Sequence, residues 1–228
     1  MAKVAEESGS VRSGSLVDWR DLRFGLIVGV VAAASKLLNH AFPEWGIGRT
    51  TTDVLASVLT VGYILARARR EPERLEVWGL TTPLTLRALA PAAGLLAAAI
   101  AALGVAGWNA AGSLAFEPRY IVEMIEYIPA AYPQQFFMCS VGLVMLSTLS
   151  VFRGHWRLPL AVGLVFSLAH FWTPARLPGT FIPIQMLITL PAGFLAAWYF
   201  LRFRSILPLT GIHAILYPLL HNWIERNL

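Results

Sequence analysis

The chain has 228 residues, of which 57% are hydrophobic and only 14% charged, with a mean hydropathy of +0.62. Soluble domains carry roughly 45–50% apolar and about 25% charged residues, so this balance describes a polytopic, all-α membrane protein. It excludes an outer-membrane barrel, which would show short alternating segments. The single cysteine, Cys139, excludes an internal disulfide, and a net charge of +5 gives no reason to expect a nucleic-acid partner.

Residues 1–23 are polar and read as a disordered cytoplasmic tail. No small-residue cleavage site follows, so the first apolar run acts as a signal anchor. Residues 24–228 then read as one membrane domain without internal repeats. A span needs about 20 mainly apolar residues. Seven stretches qualify, at about 24–42, 50–66, 86–107, 130–151, 158–173, 181–201 and 206–224. Lys36 lies within the first and must snorkel or pair inside the bundle.

Charge orients these stretches. Lys3, Arg12, Arg20 and Arg23 precede the first, and Arg67, Arg69, Arg70, Arg74 and Arg87 lie between the second and third. Arg153 and Arg157 follow the fourth, and Arg202 and Arg204 the sixth, so most of the 18 basic residues fall on one side. The positive-inside rule puts that side and the N terminus in the cytoplasm, with the C terminus outside a bacterial inner (plasma) membrane. Between the third and fourth stretches, Glu117-Pro118-Arg119-Tyr120 leads into 121–128, which reads as a short interfacial helix carrying Glu123 and Glu126. Pro129 and Pro133 are expected to kink or restart the chain after it.

Ionisable residues inside a membrane usually face the bundle interior and mark function. His170 and His213 are such residues. The fourth stretch opens with Gln134 and Gln135, and Cys139 shares a helix face with Gln135 four residues earlier. The fifth contains Phe166-Ser167-Leu168-Ala169-His170, and the seventh His213-Ala214-Ile215-Leu216-Tyr217.

In order and spacing this resembles the CPBP family, which includes the type II CAAX prenyl endopeptidases and the bacteriocin-processing proteins. That family's pattern is Glu-Glu-x-x-x-Arg, then Phe-x-x-x-His, then His-x-x-x-Asn or a variant. The resemblance covers about 128–222, with further likeness in the run Leu195-Ala196-Ala197-Trp198-Tyr199 and in Glu76-Val77-Trp78-Gly79-Leu80. It implies an intramembrane endopeptidase with a polar cavity between helices, acting on a membrane-associated peptide or protein tail. His170, His213, Gln134, Gln135 and Cys139 would occupy the catalytic positions, and Phe166 and Tyr217 would contact substrate.

Here the two glutamates are Gln134 and Gln135, the arginine is Cys139, and the asparagine is Tyr217. An amide cannot accept the proton that a general base must take, although it can hydrogen-bond water or a peptide. Three substitutes stay open. Glu123 or Glu126 supplies the missing carboxylate; Cys139 acts as nucleophile with His170 or His213 as base; or the two histidines and Cys139 ligate zinc with one position left for water. Otherwise no cofactor is expected. The alternative function is a homologue that binds peptide without turnover, as a chaperone, immunity or assembly factor. A small transporter or channel would need charged pathway residues and a repeat.

Plainer roles apply to the same residues. His170 and His213 can be packing histidines bonded to neighbouring helices, and Gln134 and Gln135 can be interhelical polar glue. His221 and Asn222 sit where wetted side chains are ordinary, and Trp172, Trp198 and Trp223 suit an interfacial belt. Span counting sets Gln134 and His170 towards the outer leaflet, with Pro174, Pro178 and Pro183 breaking the chain beside them, so the cavity is expected to open outward.

Overall fold

The computed structural model describes residues 18–42, 49–152, 156–170 and 181–224. Among them the fold is all-helical, without strands. The helices are α1 (Trp19–Ala41), α2 (Arg49–Ala68), α3 (Arg74–Val77), α4 (Leu86–Ala111) and α5 (Arg119–Gln135). A π-helical segment, Phe136–Leu143, continues α5 into α6 (Val144–Thr148), and α7 (Arg157–His170), α8 (Phe181–Phe203) and α9 (Leu207–Trp223) complete the chain order. Within the described residues, the seven apolar stretches lie mostly on helix. Among the described residues one helix, α4 over Leu86–Asn109, is long and apolar enough to cross a membrane, and only 17% of its apolar window is buried.

Two boundaries differ from the pattern reading. The first helix starts at Trp19, inside the stretch assigned to the tail, because Asp18 caps it by accepting the Arg20 amide at 2.8 Å and Asp21 sits in its first turn. The interfacial helix and the fourth stretch are one element. Neither Pro129 nor Pro133 restarts the chain: α5 runs through both. Each proline lacks an N–H for the ladder, and the wider π turn begins directly afterwards, at Phe136.

Hydrogen bonds sort the helix ends into two groups. At one end lie the start of α1, the end of α2, α3, the start of α4 and the α8–α9 turn. Trp78, just after α3, is fully buried at its centre. Its indole N–H donates to Asp21 at 3.1 Å, Tyr63 donates to the other Asp21 oxygen at 2.5 Å, and Ser140 of the π segment donates to the Trp78 carbonyl at 2.7 Å. Arg67 binds Asp18 and Glu71, and Arg74 reaches Asp18 at 3.2 Å and Glu71 at 3.3 Å. The opposite end gathers the end of α4, the start of α5 and the end of α9, where Trp223 donates to the Ala115 carbonyl at 2.8 Å.

Two close approaches need glycine. Gly79 has φ +71°, and a Cβ there would lie 2.7 Å from the Arg204 carbonyl oxygen. Where α7 crosses α8, a Cβ on Gly163 would lie 2.7 Å from the Leu190 carbonyl and one on Gly193 2.9 Å from Phe166 Cβ. The two backbones therefore touch, as at small-residue crossings in membranes. The main core holds Trp78, Phe136, Leu143, Tyr199, Phe200 and Ile206, and a smaller cluster of Leu103, Tyr120, Leu219 and Ile224 joins α4, α5 and α9.

Trp78→Phe removes one donor from Asp21, whose residue is 5% exposed. A loss of about 1–3 kcal/mol is expected, the cost of a stranded buried acceptor, read as a lower melting temperature of the full chain. The Asp18 carboxyl gives a pH signature. Burial pushes its pKa up, but the Arg20 amide and the charges of Arg67, Arg74 and Arg20 together hold it below the ordinary 3.8. Its stabilisation is therefore full above that value and is lost as pH falls through the lower folded one. Melting temperature should fall on acidification below about pH 4, and Asp18→Asn should remove that part of the fall.

Candidate functional site

The site lies where the end of α5 meets α9. The two helices run antiparallel, since Gln135 pairs with His213 while Glu123, three turns earlier, pairs with Asn222. Gln135 is 4% exposed, and its Nε2 lies 3.0 Å from His213 Nδ1. An amide nitrogen can only donate, so in this contact Nδ1 is the acceptor. The other end of the same amide, Oε1, accepts from the Cys139 thiol at 3.9 Å, and Cys139 is fully buried. One glutamine thus stands between the thiol and the imidazole.

Aromatic rings enclose the pair. Tyr127 meets His213 edge-on at 5.7 Å and stacks on Tyr217 at 4.1 Å. Tyr217 in turn lies parallel to His221 at 6.3 Å. Phe166 reaches His213 from α7 at 6.2 Å, placed there by the glycine crossing with α8. His213 therefore collects contacts from α5 and α7 while standing on α9.

Of the residues expected at the site, Gln135, Cys139, His213, Phe166 and Tyr217 come together. Gln134 is half-buried, and it is Gln135 whose amide meets His213. A neighbouring residue on a helix points about 100° away, so a polar pair in sequence offers only one member to a given partner. The backbone of His170 ends α7, but its side chain lies outside the described residues, as do Trp172, Pro174, Pro178 and the side chain of Pro183.

The structure revises several expectations. Glu123 does not reach the glutamines: it accepts from Asn222 Nδ2 at 2.5 Å, about 18 Å along α5 from Gln135. Glu126 is exposed. Cys139 faces the Gln135 amide oxygen, which cannot take its proton, so no thiol–imidazole contact with His213 is formed; the His170 side chain lies outside the described residues. Among the described residues no group of three His, Cys, Asp or Glu side chains is placed to hold a metal. Asn222, read as wetted, is buried. Depth also changes. Because α5 begins at Arg119, Gln135 lies about 24 Å along it, next to the segment packed on Trp78, and His213 is about 9 Å into α9. The pair sits towards the charged end of the bundle, not the opposite one.

Pattern reading missed Tyr127 and the Asp21–Trp78 bond. Tyr127 lay in a segment taken as interfacial; its spacing of eight from Gln135, two helical turns, becomes meaningful only once α5 is seen to be continuous. No family model, no curated protein and no solved structure matches the chain.

Gln135→Leu strands His213 Nδ1 and should cost about 1–3 kcal/mol of stability, whereas Gln134→Leu should cost well under 1 kcal/mol. Melting curves of the two variants make the comparison. Cys139 should resist maleimide in the folded protein and react once the chain is unfolded in detergent.

Proposed function

We propose that the protein is a seven-span, CPBP-like integral membrane protein that binds a membrane-associated peptide or protein tail without hydrolysing it. The observation that carries the reading is the 3.0 Å contact between the Gln135 amide and His213 Nδ1. With glutamate in place of Gln135, the same geometry would give a carboxylate–imidazole pair able to take a proton from water. With glutamine it gives a pair whose Nδ1 lone pair is already engaged. An imidazole that accepts at Nδ1 donates from Nε2, which suits a peptide carbonyl and not the activation of water. The rings of Tyr127, Tyr217 and Phe166 supply an apolar wall of the kind that small-ligand and peptide pockets use.

The membrane placement draws on the apolar surface the fold leaves outside. Val30 of α1, Val58 of α2, Val105 of α4 and Leu168 of α7 are all more than half exposed. Exposed apolar surface on this scale belongs against lipid or a partner. The two groups of helix ends agree with the alternation read from the basic residues, which puts the Trp78 end in the cytoplasm.

A photoactivatable residue at Phe166 tests the reading in cells. A peptide adduct recovered intact, and reduced about tenfold by Gln135→Ala or His213→Ala at equal expression, is the expected result. Wild-type protein that converts the captured peptide into two fragments would overturn the non-hydrolytic assignment. A Gln135→Glu variant that gains cleavage would show that one atom, amide nitrogen against carboxylate oxygen, separates binding from turnover.

A further inference from the structure

At the head of α4 the chain builds a second polar site, well away from His213. A cavity of about 420 Å³ is lined by Thr82, Pro83, Thr85, Arg87, Ala88, Arg202 and Phe203. It is assembled from distant parts of the sequence by three bonds. Tyr199 donates to the Ala88 carbonyl at 3.1 Å, tying the last turns of α8 to the first turn of α4. Thr82 donates to the Arg204 carbonyl, and the Ile206 amide donates to the Gly79 carbonyl at 3.2 Å. Together they seat the α8–α9 turn on the segment before α4 and bring Arg202 beside Arg87.

The charges there are one-sided. No carboxylate lines the cavity, and among the described residues neither Arg87 nor Arg202 forms an ion pair, in contrast to Arg67 and Arg74 at the same end of the bundle. The cavity also contains the first turn of α4, a helix of 26 residues whose N-cap, Thr85, makes no side-chain cap bond. First-turn amides have no acceptor within their own helix, and the aligned peptide dipoles add roughly half a positive charge. The Thr82 hydroxyl is spent on Arg204 and the Ala88 amide on the Thr85 carbonyl, which leaves two guanidinium groups, the Thr85 hydroxyl and the Leu86 and Arg87 amides as donors, and phosphate is the ligand such donors recognise. Arg204 is not part of it: its guanidinium lies over the Phe200 ring at 5.2 Å.

We propose that this cavity binds a phosphate group, carried either by the headgroup of an anionic lipid or by a free phosphate. The site goes beyond the peptide-binding reading and does not depend on it. The test uses the full chain purified in a non-ionic detergent. One arm measures retention of phosphatidylglycerol against phosphatidylcholine by native mass spectrometry; the other measures the rise in melting temperature with inorganic phosphate. The double variant Arg87→Gln/Arg202→Gln is compared with Arg69→Gln/Arg70→Gln, which removes the same charge from exposed positions outside the cavity. The cavity variant should bind about tenfold more weakly, while the control binds as wild type. Both arginines in the cavity are exposed, so melting without added anion should be unchanged. Loss confined to the lipid arm identifies a headgroup, and loss in the phosphate arm identifies a free phosphate. Equal weakening in both double variants, or no binding of either probe by wild type, would overturn the proposal.

Discussion

The indole of Trp78 is the point on which the rest of the architecture depends. A large side chain with one polar atom is favourable in a core only if that atom finds an acceptor. Trp78 finds it in Asp21, and Asp21 is in turn a tolerable buried carboxylate only because Tyr63 donates to it and arginines stand beside it. On its other side Trp78 receives the Ser140 hydroxyl and the edge of Phe136 at 5.4 Å. The charged end of the bundle is thereby coupled to the π segment, and through that segment to Gln135 and Cys139. Replacing an ion in this set by a neutral group unbalances its partners, so the set behaves as a unit.

That coupling explains the position of the site. A π turn adds a residue to the helical circuit and reorients the side chains beyond it, which is why such turns recur at functional places. Here it starts directly after Gln135, the last residue of α5, and itself holds Cys139, whose thiol reaches back to the Gln135 amide. The pair formed with His213 contains no carboxylate. A buried ion would have required water or a counter-ion; an amide donating to a ring nitrogen does not.

Composition and periodicity were enough to read the helical class. The residues that meet at His213 were legible too, because Gln135, Cys139, Phe166, His213 and Tyr217 each stand out as a polar or aromatic group at helical spacing. Three things were not legible. The start of α1 at Trp19 depends on Asp18 and Asp21 having partners about fifty residues away, which no local pattern reveals. The continuity of α5 through Pro129 and Pro133 runs against proline's local preference and is sustained by packing against α2 and α9. The choice of Gln135 over Gln134 depends on helix phase, and phase is set by the whole bundle.

The crossing of α7 and α8 has a mechanical consequence. With Gly163 and Gly193 at the contact, main chain lies against main chain and no space remains between them. Interfaces of that kind shear poorly and separate only at the cost of many close atomic contacts. The two helices should therefore travel as one rigid paddle, carrying Phe166 with them. Any change in the contact between Phe166 and His213 would then come from moving that paddle as a whole against α9.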